Sequence, residues 1–581
     1  MILKALYDYY YRSGDDVAPE GLEYKEIAFA IVIDKEGNFK SRIENRIGET
    51  KLVSKSNGRT GTKSQPNHLW DNIAYVLGIS AATLQIGDES LDKIKREKRD
   101  KELQKNERNH AAFVDYVSEL SNIHPTDVDL RAVSLFYKKN TDLLSLLQNC
   151  DIWDVLKRNL TKNISFLIEG DLEIVAEKSS ILSYLHADNE ESEDSGTAIC
   201  LVSGEKCTPI KTFTKIQLGK FSDTKLVSFQ KNQGYDSYGK EQGENATMSK
   251  SAEFAVSTAL RKLLAFDSRN KFMVGSRVFA FWTVGNSEAD KEIEESIFSL
   301  FGNNPNEDNP NDRIELVSQV FRSVYSGDTP TQTDDMFYIL GMFPANKARI
   351  AVSYWEAISV RDFAGRILQH IDDMEIVDGR LDKKPYIRLF NILGAVTLGG
   401  KSSDATPNLP DAVVKSIFQG LPYPASLFQS CIRRIRAEQS INITRAAIIK
   451  AYLNRLNDNN NNKITVMLDK TNQNPGYLCG RLFAVVEDLQ YAANKQDTIR
   501  SSYMNAASAT PAAVFSTILK LSNSHYGKLA KDKKGLAVFF DKQKQEIMEM
   551  LSDFPETLDL QDQGRFFLGY YHQKNYKENN D

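Results

Sequence analysis

The chain has 581 residues, 41% of them hydrophobic and 10% aromatic, with a formal net charge of −5. So much apolar material excludes a wholly disordered chain, and this length implies about three or four folding units at roughly 150 residues each. The balance of charge leaves nucleic-acid binding open, because clustering of cations matters more than their total.

Five scattered cysteines (Cys150, Cys200, Cys207, Cys431, Cys479) do not form a disulfide framework. The opening MILKALYDYYYRSGDD lacks the apolar core of a signal peptide. No stretch approaches the roughly 18 apolar residues of a membrane span. The expectation is a protein of the reducing cytoplasm with no membrane partner.

In chain order, the first segment reads as a helix with Leu3, Leu6 and Tyr10 on one face. EIAFAIVID and FKSRIEN read as two strands around DKEGN. Residues 54–67 form a polar loop in which Lys55, Arg59 and Lys63 stand without an acid between 55 and 67. HLWDNIAYVLG (68–78) reads as a helix. Residues 91–109 carry eight Lys/Arg and five Asp/Glu, a mixture that reads as a solvated helix with i,i+4 ion pairs. Further helices run to about Leu160, ISFLIEGDLEIVA reads as strands, and the acidic SYLHADNEESEDSG is not expected to pack.

From Cys200 to Val284 the pattern is strand, long polar loop, helix, strand. The helix near 249–264 places Val256, Leu260 and Leu263 at i, i+4, i+7. NNPNEDNPND (303–312) reads as a loop. MFYILGMFP and ARIAVSYW read as a strand pair joined by PANK. Helices follow from about 356, interrupted by the low-complexity NDNNNNK (457–463). Leu478, Leu482, Val485 and Leu489 share one later helix face, and Val514, Ile518 and Leu521 another. The expected fold class is α+β: a mixed α/β N-terminal region, then a mainly helical C-terminal region ending in a bundle. The expected domains are 1–355 (with a subdivision near 160–200), 356–462 and 463–581.

Several segments could carry chemistry. Phe229–Met248 contains Gly234, Gly239, Gly243, Tyr235, Tyr238, Lys231, Lys240 and several amides. Glycines admit close backbone approach, amides and lysines reach phosphates and base edges, and tyrosines stack on bases. An ordinary solvated loop has the same composition, and the glycine spacing matches no nucleotide-binding fingerprint. RIRAEQSINITRAAIIKAYLNR gathers Arg433, Arg434, Arg436, Arg445, Lys450 and Arg455 near helices, either a backbone-tracking face or a plain charged exterior. Cys200 and Cys207, with His186 nearby, lack a full metal-ligand set. His370, Asp372 and Asp373 are the best residues for a metal nuclease, but no second histidine motif accompanies them. No GxxxxGK[ST], GxSxG or HExxH occurs.

Taken together, LYDYYYR, EIAFAIVIDKEGNF, LWDNIAYVLG, CLVSG, LVSFQKNQGYDSYGKEQGENATMS, FYILGMFPANKARIAVSYW, RIRAEQ, RAAIIKAYLNR, YLCGRLFAVVEDLQYAAN and ASATPAAVF resemble, in order and spacing, the Csd-type large subunit of type I-C CRISPR Cascade. Two departures accompany the resemblance: CTPIKTFTK stands where the family carries a His-Pro pair, and SFQ stands for SFN.

The resemblance implies a non-enzymatic subunit without cofactors; the alternative readings are a metal-dependent nuclease or RNA-processing enzyme of the same system, or a purely structural assembly subunit. Its implied partners are a guide crRNA, target double-stranded DNA, the Cascade backbone and crRNA-processing subunits, small-subunit copies and a recruited helicase-nuclease. It implies that Lys63, Ser64, Gln65, Asn67 and Asn72 contact the motif adjacent to the target. It assigns Gln230, Lys231, Asn232, Tyr235, Tyr238, Lys240 and Gln242 to duplex opening or strand holding. Lys55, Arg59, Arg433, Arg434, Arg436 and Arg445 are the candidate nucleic-acid backbone contacts. Met467 is a candidate internal start for a separate copy of the bundle; a buried strand residue in ITVMLD is the other reading.

Overall fold

The computed structural model describes residues 2–14, 17–57, 64–87, 92–187, 198–232, 234, 238–302, 310–328, 335–378, 387–456 and 463–576. The chain divides into two compact units. One comprises Leu6–Thr214 and Ser228–Ala259, the other Met1–Ala5, Lys215–Val227 and Leu260–Asp581.

The amino-proximal unit opens on most of α1 (Ile2–Arg12), followed by β1 (Leu22–Glu26), β2 (Phe29–Ile33), β3 (Phe39–Asn45), β4 (Thr50–Ser54) and β5 (Trp70–Asn72). Helices α2 (Ile73–Val76), α3 (Lys93–Ile123), α4 (Val128–Lys139), α5 (Leu143–Gln148) and α6 (Trp153–Leu156) lead to β6 (Asn163–Ile168). Then come α7 (Ser179–Ala187), the short pair β7 (Ala198–Ile199) and β8 (Lys206–Cys207), and α8 (Lys250–Leu264), which runs into the other unit. The main sheet has the order β3-β2-β6-β5, with β2 and β6 parallel, and β1 pairs with β4. FAIVI forms β2 because β-branched and aromatic residues suit a strand covered on both faces, and all five are buried. Phe113, Val117, Phe136 and Phe166 pack in the same core.

Two expectations change here. The segment 68–78 is a three-residue strand and a four-residue helix. Leu69 sits at φ 58°, in the left-handed region, which interrupts any helix before it starts. After β6, the chain that reads as a second strand instead makes a 3-10 turn at Val175–Glu177.

The carboxy-proximal unit contains β9 (Ile216–Leu218), β10 (Phe221–Thr224), β11 (Lys271–Val274), β12 (Arg277–Thr283), β13 (Met336–Asn346) and β14 (Arg349–Ser359). The last four form an antiparallel meander, β11-β12-β13-β14. Helices α9 (Glu288–Phe301) and α10 (Pro310–Ser326) are inserted between β12 and β13. Helices α11 (Val360–Met374), α12 (Leu389–Ala395), α13 (Leu409–Gln419), α14 (Ala425–Glu438) and α15 (Ile443–Leu456) follow. The last five are α16 (Pro475–Asn494), α17 (Thr498–Ala507), α18 (Pro511–Asp532), α19 (Lys534–Glu549) and α20 (Leu560–Asn575). The fold is thus mixed α/β in its first half and mainly helical beyond.

One hydrophobic core runs from Phe272 in β11 to Tyr571 in α20. Among the described residues the sheet therefore shares its core with the helices after 356. The bundle is locked by close backbone crossings. A methyl added to Gly480 of α16 would meet Phe566 O at 1.9 Å, and one on Gly569 of α20 would meet Tyr477 O at 2.1 Å. At Gly564 it would meet Phe428 of α14 at 2.9 Å, so α20 also packs on the connecting helices.

Candidate nucleic-acid interface

The first polar loop leaves β4 and returns at β5, and its neck is closed by two bonds. The Asn57 backbone N–H donates to Asn67 Oδ1 at 2.9 Å, and Asn57 Nδ2 donates to Pro66 O at 2.6 Å. The returning strand is held just as firmly. Asp71 accepts from the backbone N–H groups of Asn67 (3.0 Å) and Asn72 (2.8 Å). His68 bridges Tyr116 Oη (2.6 Å) and Ile181 O (2.9 Å), and Trp70 Nε1 donates to Ser54 Oγ at 3.0 Å. This surrounding network holds Leu69 in a conformation that costs about 1–2 kcal/mol.

These bonds give several expected contact residues structural duties. Asn67 is buried with its side-chain oxygen spent on the neck. Asn72 caps α2 by accepting from Tyr75 N–H at 3.2 Å and stays half-buried. Ser64 Oγ donates to the buried Asn109 Oδ1 of α3 at 2.7 Å, while Gln65 is exposed. Arg59 and Lys63 lie outside the described residues. Lys55 is committed inward: its Nζ lies 3.2 Å from Thr214 Oγ1, 3.6 Å from Glu253 and over the Phe254 ring at 4.9 Å.

The second polar loop, 228–249, is anchored at its C-terminal end. Gly243 N–H donates to Lys211 O at 3.1 Å, and a side chain there would collide with Ile210 O at 2.1 Å. Leu201 N–H donates to Thr247 O, and Thr247 Oγ1 to Ile199 O. Ser203 and Ser249 N–H both point at Cys200 Sγ at 3.5 Å. Although burial alone would raise it, the Ser203 side chain, together with these backbone donors, brings the Cys200 thiol down to about 7; its neighbour Cys207 is raised, chiefly by burial. Both thiols are buried and free, and the His186 side chain lies outside the described residues.

Toward its outer part the loop changes character. Asn232, Tyr238 and Gln242 take positive φ of 60°, 54° and 45°, beside Gly234 and Gly239 at 82° and 73°. Non-glycine residues in this region are uncommon and cluster where local structure serves a site. Tyr238 is fully exposed at 101%. Gln230, Lys231 and Lys240 are exposed, Gln242 is half-buried, and Lys231 pairs across the loop with Glu241 at 3.2 Å. Tyr235 lies outside the described residues.

Both loops belong to the amino-proximal unit, and one polar junction joins their bases. Glu253, in the first turn of α8 after the second loop, accepts from Thr214 N–H (2.8 Å) and Oγ1 (3.0 Å) and pairs with Lys55 at the start of the first loop. Sequence reading missed Glu253, whose position just inside a helix start was its only signal.

The basic stretch 433–455 separates into two populations. On α14, Arg433 and Arg436 are exposed, and Arg434 pairs with Glu438. On α15 the cations turn inward, which corrects Arg445 as a backbone contact. Arg445 is buried, donates to Ala395 O (3.0 Å) and Ser440 O (3.2 Å), and pairs with Glu438 at 2.6 Å. Lys450 donates to Asp372 O at 3.2 Å, and Arg455 binds Asp373 at 2.5 Å and the carbonyls of Ser416 and Leu421, each at 2.6 Å. The cause is packing: α15 is surrounded by core, so its cations can only be satisfied internally.

The three nuclease candidates do not share one environment: Asp372 is exposed and Asp373 half-buried, while His370 lies in the core. His370 is buried with Nδ1 2.7 Å from Tyr423 Oη, and burial, helped by Arg455, pushes its pKa down to about 3. Asp373 serves Arg455. Among the described residues no group of three His, Cys, Asp or Glu is placed to hold a metal. Met467 is exposed at 64% and lies outside any strand, so the buried-strand reading fails.

Among the described residues no helix is long and apolar enough to cross a membrane. A mixed α/β unit carrying two braced polar loops, and a second unit that sets an antiparallel sheet among many helices, define a two-unit α+β class of protein. The family model described as CRISPR-associated protein (Cas_Csd1) matches residues 6–576, nearly the whole chain. The chain belongs to that family, as a large subunit of a type I-C Cascade complex. No curated protein matches it.

Proposed function

We propose that this subunit recognises the duplex motif beside the target and promotes opening of that duplex, without catalysis of its own. Guide pairing reads the target sequence, so the protein's task is to hold and test the adjacent duplex. The observation that carries this reading is the pair of polar loops sprung from the single Lys55–Thr214–Glu253 junction. The first loop brings Lys63, Ser64 and Gln65 to the groove of the adjacent motif, with Asn67 and Asn72 shaping its base. The second offers Tyr238 as a stacking face, with Gln230, Lys231, Asn232, Tyr235, Lys240 and Gln242 along the displaced strand. Arg433 and Arg436 of α14, with Arg59, supply sequence-independent backbone contacts. Its partners are guide RNA, target duplex, the backbone and crRNA-processing subunits, small-subunit copies and a separate helicase-nuclease.

The test uses reconstituted guide-RNA complexes. Alanines at Lys63 and Gln65 reduce discrimination between motif sequences, and alanines at Lys231 and Tyr238 reduce opening. Unchanged affinity, motif preference and opening in both variants would leave a purely structural assembly subunit instead.

A further inference from the structure

Helix α3 runs for 31 residues, and its N-terminal half stands in solvent. Its mixed charges suggest self-neutralising i,i+4 pairs, but the described residues show a different pattern. Lys95 pairs with Asp92 and Arg99 with Asp100. Lys98, Lys101, Lys105 and Arg108 are exposed and form no ion pair or hydrogen bond among the described residues. At 100° per residue these four fall within an arc of about 80°, a stripe about 15 Å long. Glu97 and Glu102 flank it on opposite sides. The buried side, Asn106, Asn109, Phe113, Val117 and Leu120, lies about 100° round the helix.

The helix is fixed to the first loop. Asn109 receives Ser64 Oγ at 2.7 Å, directly where that loop returns, and Asn106 Nδ2 donates to Ser80 Oγ at 2.5 Å. The stripe therefore begins one residue before this anchor and extends away along a rigid helix within the same unit.

We infer that Lys98, Lys101, Lys105 and Arg108 form a phosphate-backbone contact for double-stranded DNA beside the first loop, an inference that rests on the duplex-recognition reading above. A straight row of cations matches a rod-like polyanion, which carries one charge per about 1.7 Å of axis. Among stripe neighbours only Ile94 is a large apolar residue, and no aromatic is present. A single-strand site would call for stacking rings, and a membrane-surface helix for a broad apolar face.

The experiment measures duplex affinity of the complete guide-loaded complex over a salt series, for wild type and for K98Q/K101Q/K105Q/R108Q. The log-log salt slope should shrink by roughly 3 to 4, following about 0.9 per phosphate contact, with the ranking of motif sequences unchanged. The lysine-to-arginine variant K98R/K101R/K105R should keep the wild-type slope. An unchanged slope overturns the inference. So does a variant whose defect lies in guide-RNA loading or in binding anionic vesicles while its duplex slope stays intact. Failure of duplex recognition by the loops reads out separately, as motif preference that survives the Lys63 and Gln65 alanines.

Discussion

Lys55 Nζ lies 3.6 Å from Glu253 Oε2, joining the start of the first polar loop to the helix that leaves the second. The two residues are far apart in sequence, yet both are more than two-thirds shielded. A partly buried pair of this kind couples by about 1 kcal/mol. A double-mutant cycle with Lys55→Met and Glu253→Gln, read by thermal unfolding, should return that coupling. Glu253→Ala should cost more, because Thr214 also loses its acceptor.

Tyr238 carries no packing load, since its side chain is fully exposed. Tyr238→Ala should leave the melting temperature unchanged and weaken strand holding by about 1–3 kcal/mol, the worth of one stacked base. Tyr238→Phe should retain most of the effect. Fluorescence of a base analogue placed at the first opened position measures both.

The arginines of the 433–455 stretch should separate by assay. Arg433→Ala and Arg436→Ala should each lower the salt slope of nucleic-acid binding by about 0.7–0.9 without affecting stability. Arg445→Ala should do the reverse: a stability loss on the order of 3 kcal/mol from stranded Ala395, Ser440 and Glu438 acceptors, with no direct change in slope. Denaturant unfolding and a salt titration distinguish them.

Two histidines make the carboxy-proximal unit acid-sensitive. Burial holds His370 near about 3, with Arg455 adding to it, and His572 near about 4, with Lys450 adding to it. An unfolded imidazole titrates near about 6.5, so below that value the unfolded chain binds more protons and stability falls with pH. Above it the contribution is flat. Around pH 5 each ring should account for about 2 kcal/mol of loss. Melts over this range should show the slope, and His370→Gln should remove its share.

Local chemistry made much of the fold legible. FAIVI, the Val256-Leu260-Leu263 spacing and the strand pair around PANK each point to the element that forms, because burial acts over a few residues, although residues 344–346 extend β13 and the turn itself falls at 347–348. The 68–78 segment was not legible. Leu69 is held by His68 bonding Tyr116 and Ile181, residues 48 and 113 positions away. Nor could a run of arginines reveal which would be enclosed: α15 buries Arg445 only because core surrounds it. The converse holds for α3, where mixed signs in sequence become an unpaired stripe once the helix sorts them by angle.

The central claim is tested most directly by selecting bound duplexes from a pool randomised beside the target, using guide-loaded complex. Wild type should enrich a defined motif, and Lys63→Ala/Gln65→Ala should flatten that enrichment while guide loading and target pairing remain. An identical enriched motif in the variant would contradict the account.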